Sequence, residues 1–278
     1  EIDTPYPIPY TLYPLRTFPH MGTRSCYAVL EYDGTHFFGW QRQPAERTVQ
    51  GEVETALAKL TQTKSSVIAA GRTDTGVHAL GQTISFSVPD RWDPEDLSRA
   101  MNAVLPSDIR VLRAGASPPA FNARKDAAGR EYGYVIGLDS GARSPFRVGY
   151  EWALCRALDM EAVAAATGAI AGDHDFRAFA AVGQQKPHYR CRVGRVEWSE
   201  RPGDKGVIFH IVADRFLHHM VRFLVGTLVE IGLGKRPVED LERLLNLDHN
   251  SETSAPAPPE GLYLVRVDYP QFEPAETK

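Results

Sequence analysis

Apolar residues recur along this chain at two periods, and the two alternate. Val49, Val53, Ala56, Leu57 and Leu60 follow Thr48 at helical spacing, with the threonine placed to cap the first turn. Gln82, Ile84, Phe86 and Val88 alternate with Thr83, Ser85 and Ser87, the period of a half-buried strand. The same reading predicts strands over 26–32, 130–138, 192–199, 206–214 and 262–267, and helices over 94–105, 160–170, 216–232 and 237–245. Residues 216–232 are apolar nearly all round, which predicts a buried helix. Strand, helix and strand occur twice with hairpins between, so the fold class expected is α+β, two halves around a largely antiparallel sheet. A seam is expected near 139–148, where Asp, Ser, Gly and Pro interrupt the pattern.

Composition narrows the class. The 278 residues are 43% hydrophobic and 24% charged, as in a soluble globular chain of one large domain or two. No run approaches the roughly 18 apolar residues of a membrane span. Cys26, Cys155 and Cys191 show no C-x-x-C spacing, which argues against a disulfide framework or a cysteine zinc site and predicts an intracellular setting. Residues 1–20 carry five prolines and no periodicity, and Met21-Gly22 reads as a start, so the first twenty are expected to be a flexible extension. They lack the apolar core of a secretory signal.

Net charge is −4, but residues 177–195 hold Arg177, Lys186, Arg190, Arg192 and Arg195 with no carboxylate. Interleaved with Phe179 and Tyr189, this stripe is either a solvated strand edge or a track for a phosphate backbone. Phosphate loops, dinucleotide fingerprints, nucleophile elbows and zinc-binding helices are absent, which favours a cofactor-free mechanism without a metal. His218-His219, being adjacent, cannot supply the i,i+4 pair of a zinc helix. Asp173-His174-Asp175 reads as a polar turn in preference to a metal cluster.

The segment Gly71-Arg72-Thr73-Asp74-Thr75-Gly76-Val77-His78 stands out. Its glycines permit sharp turns and close approach of a ligand. Arg72 is expected to hold Asp74 ionised and oriented, as a nucleophile, a base or a metal ligand. The alternative is a carboxylate that merely closes a turn. Arg222 lies on the apolar 216–232 helix in line with His218, Gly226 and Glu230, and is costly to bury without an anion. Its partner is Asp74, Glu230 or an external phosphate. Tyr132 and Tyr134 share one strand face after Arg130, where an aromatic ring either stacks on an unpaired base or fills the core.

These blocks resemble the TruA family of tRNA pseudouridine synthases. GRTDTGVHALGQ (71–82), YDGTHFFGWQRQ (32–43), TVQGEVETAL (48–57), FNARKDAAGREYGY (121–134), HDFRAF (174–179), RFLHHMVRFLVGTLVEIGLG (215–234) and GLYLVRVDYP (261–270) follow the family's order. The resemblance implies isomerisation of uridine: the N1–C1′ bond breaks, the base turns, and C5 joins C1′. It implies uridines 38, 39 and 40 of the tRNA anticodon stem-loop as targets, no cofactor, and a cytoplasmic homodimer with no membrane association. The implied fold is two halves sharing a continuous sheet with the catalytic cleft between: 21–140 carrying the aspartate and 141–278 completing the cleft. By position, Asp74 is the catalytic aspartate, Arg72 orients the substrate and Arg222 pairs with Asp74. Tyr132 stacks on the target base and helps remove the C5 proton, and Leu262 packs against the base. Arg130, Arg190 and Arg192 are further candidates for tRNA phosphate contacts. Thr75, Lys125-Asp126 and Phe223 depart from the family pattern and bear on substrate positioning. The competing classes are an RNA-binding protein of this fold without turnover, and a metal-dependent phosphodiesterase using Asp74, Asp173 and Asp175.

Overall fold

A computed structural model describes residues 22–182, 188–201 and 206–270. Residues 1–20 and Lys186 lie outside them. Helix α1 (Val49–Thr61) forms where the apolar period requires it. Extended Thr48 accepts from the Gly51 N–H, Val49, Val53 and Leu57 are buried, and Gln62 ends the helix in the left-handed region. Helix α2 (Pro94–Val104) starts on a proline behind an Asp93 cap, which accepts from Glu95 N–H. Helix α3 (Met160–Thr167) is capped by Asp159 and continues as a 3₁₀ turn over Gly168–Ile170.

The strands are β1 (Thr23–Tyr32), β2 (Ile68–Ala69), β3 (His78–Pro89), β4 (Ile109–Ala116), β5 (Gly129–Gly137), β6 (Trp152–Ala153), β7 (Gly172–Asp175), β8 (Arg190–Glu200), β9 (Gly206–Ala213) and β10 (Leu262–Asp268). All ten form one sheet: eight run in the order β4-β1-β3-β10-β5-β9-β8-β7, and off this path β2 pairs with β3 and β6 with β5. Neighbours are antiparallel except β10 with β3 and β6 with β5. The sheet is therefore continuous and mixed. Strand β10 sits at its centre, joined to β3 on one side and β5 on the other. Strand β5 precedes the 139–148 stretch, which holds a 3₁₀ turn over Ser140–Arg143, yet it hydrogen-bonds β9 beyond that stretch. A cut at residue 140 thus divides the chain but not the sheet.

Several expectations need correction. Strand β3 is buried on both faces, not half-buried: Gln82, Thr83 and Ser85 are as covered as Ile84. Its polar side chains bond to loops in place of water. Gln82 Nε2 donates to the Gly71 carbonyl, and Ser85 Oγ accepts from Ala123 N–H. Strand β4 escaped the sequence reading because its outer half is only partly buried and its alternation fades there. Residues 172–175 are an edge strand, not a turn. Helix α4 (Met220–Gly232) begins four residues later than its apolar run, because His219 adopts a left-handed backbone with φ 63°. Helix α5 (Asp240–Leu245) is likewise shorter than expected.

Pairing across the sheet also changes the basic stripe. Strand β7 sets Asp173 at 3.1 Å from Arg190 and Asp175 at 3.6 Å from Arg177, and Glu131 on β5 lies 2.8 Å from Arg195. Three of the four described arginines in this run thus have a carboxylate partner from outside it.

Candidate active site

The Gly71–His78 loop crosses one end of the sheet between β2 and β3, and backbone contacts fix it at several points. The Thr73 carbonyl accepts from Trp40 N–H, and Gly76 N–H donates to the Phe37 carbonyl. Gly39 permits this approach: its φ is 80°, and a Cβ there would lie 2.8 Å from the Thr73 carbonyl oxygen. Thr73 turns inward to bond the Tyr32 hydroxyl at 2.8 Å, which sends its neighbour Asp74 outward. His78 belongs to the scaffold. Its Nδ1 accepts from Gly34 N–H, its Nε2 bonds the Gly149 carbonyl, and its ring stacks on Tyr263. Burial lowers its pKa, so it stays neutral.

Asp74 faces a cleft of about 1300 Å³ whose walls include Arg72, Tyr132, Arg222 and Leu262. Its partners come from the start of α4. Oδ1 lies 3.4 Å from His218 Nε2, and Oδ2 lies 3.4 Å from His219 Nε2 and 3.5 Å from Arg222 Nη1. No backbone N–H donates to this carboxylate among the described residues, so it does not close a turn. The cation beside it is Arg222, not the exposed Arg72, which forms no ion pair with Asp74 among the described residues.

Arg222 is held from both ends. Its Nε donates to the Ala257 carbonyl at 2.7 Å, and its own carbonyl accepts from Ala257 N–H at 2.9 Å. The connector bearing Ala257 passes so close to α4 that a Cβ on Gly226 would lie 2.2 Å from the Ala255 carbonyl oxygen. Glu230, the other suggested partner, is taken by Arg236 and Ser254.

Tyr132 and Leu262 stand on adjacent strands, β5 and β10, at the cleft wall. Tyr132 is 8% exposed and meets Phe216 edge to face at 4.9 Å. Burial pushes its phenol well above the ordinary range, with Tyr32 and Asp74 adding to the shift. It therefore keeps its proton: it can donate a hydrogen bond, but it is a reluctant acid and, as a neutral phenol, a poor base. Tyr134 is fully buried core, its hydroxyl donating to the Pro258 carbonyl. Arg130 borders the cleft, but its guanidinium donates to the carbonyls of Ala70, Arg124, Ala127 and Asp214. It ties down the floor of the cleft, including the residue just before the Asp74 loop.

Arg190 and Arg192 are not brought to this cleft, and neither are Asp173 and Asp175. Strand β7 lies five positions from β3 along the sheet, roughly 24 Å at ordinary strand spacing. The trio required by the phosphodiesterase reading is therefore not assembled. Sequence reasoning missed Arg124 and Arg215, which line the cleft with Lys125 and Thr75, two of the departures from the family pattern, and it dismissed His218 and His219. That dismissal rested on helical spacing. The left-handed His219 lies before the helix, and it turns both imidazoles toward one carboxylate, their ring centroids 3.9 Å apart.

An α+β chain with a mixed sheet and an aspartate-centred cleft matches the family model for tRNA pseudouridine synthase over residues 28–124 and 166–270. The chain belongs to this family, whose members are isomerases that convert uridine to pseudouridine. It is 42% identical over 243 residues to tRNA pseudouridine synthase A of Moorella thermoacetica, covering 87% of this chain and 98% of that protein. The proteins of the same name from Methylacidiphilum infernorum and Leuconostoc mesenteroides are 40% and 36% identical, covering 87% of this chain and 94% and 98% of theirs. Among the described residues, no helix is long and apolar enough to cross a membrane.

Proposed function

We propose that this chain isomerises uridines 38, 39 and 40 of the tRNA anticodon stem-loop, as a cytoplasmic homodimer that needs no cofactor, with Asp74 as the catalytic carboxylate. The observation that carries this reading is the pairing of Asp74 with Arg222 in a cleft bounded by Tyr132 and Leu262. The adjacent guanidinium orients the carboxylate through a charge-assisted contact. A carboxylate so placed either attacks C1′ or removes the 2′ proton, and either course breaks the N1–C1′ bond, the base leaving the sugar with the bonding pair on N1. The base then turns and C5 bonds C1′ as the Asp74–C1′ bond breaks or, in the other course, as C2′ regains its proton; the C5 proton is then lost and N1 is protonated, so no net proton is gained or lost. Tyr132 and Leu262 confine the base while it is detached. The target must leave its stack to enter, at a cost of a few kcal/mol that is least in a loop or at a stem end.

Arg72 and Arg124 are exposed around the cleft and suit the phosphates flanking the target. The exposed Arg190 and Arg192 would contact more distant parts of the tRNA. Replacing both with alanine is expected to flatten the salt dependence of tRNA binding by roughly one unit for each phosphate no longer held. An unchanged slope would make the stripe ordinary surface.

Tritium release from C5-labelled uridine in an anticodon-arm tRNA tests the reaction directly. Release that follows target uridines at 38–40, and stops when those are replaced by cytidine, is the expected result. Tight tRNA binding without release from any anticodon arm would instead make this an RNA-binding member of the fold.

A further inference from the structure

Two imidazoles and a carboxylate converge at the cleft, and their geometry is one that a metal ion uses. The ligand atoms of Asp74, His218 and His219 all lie within 4.8 Å of one another, and each imidazole Nε2 stands 3.4 Å from a carboxylate oxygen. A tetrahedral zinc ion with bonds of 2.0–2.1 Å spaces its ligands about 3.3 Å apart. The two imidazole–carboxylate gaps therefore match edges of a zinc tetrahedron, and because they run to different oxygens a rotation of the carboxylate is needed to set all three groups on one ion.

We propose that Asp74, His218 and His219 form a three-ligand site for a borderline divalent transition cation, Zn²⁺ foremost, whose occupancy shuts the cleft. The shutting, though not the binding, rests on the function proposed above: a carboxylate bound to metal is lost to the sugar. The donor set suits zinc and not magnesium, which prefers an all-oxygen shell. The backbone supplies the convergence. Consecutive side chains point about 100° apart on a helix and to opposite faces of a strand, and the left-handed His219 escapes both. Arg222, 3.5 Å from Oδ2, opposes a second cation and keeps the site weaker than a dedicated zinc centre.

The test is a titration of the full chain with Zn²⁺ against a chromophoric chelator, repeated with Co²⁺ read by visible absorption. One ion per chain and the intense bands of tetrahedral cobalt are expected. Asp74→Asn, His218→Gln and His219→Gln should each weaken binding at least about tenfold. His218 is 59% exposed, so its substitution is the one least able to disturb folding. Wild type that takes up no ion, or three variants that bind as wild type does, would overturn the site. In the tritium assay, Zn²⁺ should suppress release, EDTA should restore it, millimolar Mg²⁺ should not mimic zinc, and EDTA alone should change nothing. Zinc bound at these three residues with release undiminished would overturn the shutting. Binding is read without turnover, so failure of the functional reading would leave the site itself fully testable.

Discussion

Asp74→Asn is expected to lower tritium release at least about ten-thousand-fold, the scale on which an essential reacting group is lost, while tRNA affinity stays within about twofold. The amide has the size and shape of the carboxylate, so the loop clamped by Trp40 and Phe37 has no cause to move. What disappears is the negative charge and the atom able to attack or to take a proton. Affinity should not fall, because a carboxylate repels the phosphate backbone and its neutralisation removes that repulsion. Single-turnover release and filter binding on one preparation separate the two effects. Turnover close to wild type would take Asp74 out of its proposed role. Joint loss of turnover and binding would mean that the cleft had collapsed.

Arg222→Ala carries the second-largest expected effect, a fall in turnover of about a hundredfold to a thousandfold, by analogy with loss of one preorganised donor. The side chain is 13% exposed and bridges Asp74 to the Ala257 carbonyl. Its removal frees the carboxylate to rotate and leaves that carbonyl without its donor. The second loss costs about 1 kcal/mol, equivalent to a thermal midpoint about 2–4 °C lower. Arg222→Lys should recover only part of the rate, because one ammonium cannot reproduce the planar fork that reaches both partners. The fall should appear in kcat more than in KM. A KM effect alone would make Arg222 a contact for the RNA and not the partner of Asp74.

Local features were legible before any coordinates. Helix α1 is announced by Thr48 and by apolar residues at helical spacing, and the Asp74 motif by its glycines and its charge. Strand β3 shows how a correct element can be misjudged. Its polar residues alternate as if for water, yet Gln82 and Ser85 are spent holding the loops that shape the cleft. Arg72 and Arg222 were both read as cations for an anion, but which one reaches Asp74 depends on a contact spanning 148 residues.

The amino-acid sequence by itself determined where α1, α2 and α3 start, most of the longer strands, the family, and the residue most suited to the chemistry. Those follow from caps, periodicity and motif, which act within a few neighbouring residues. Only the tertiary structure decided that β10 joins the two sides of the sheet, that Asp173, Asp175 and Glu131 pair with arginines of the basic stripe, and that His218 and His219 meet Asp74. Each of these depends on strand order or on a single left-handed residue. Pairing between distant segments is selected by the burial of the whole sheet, and no local window of the chain carries that information.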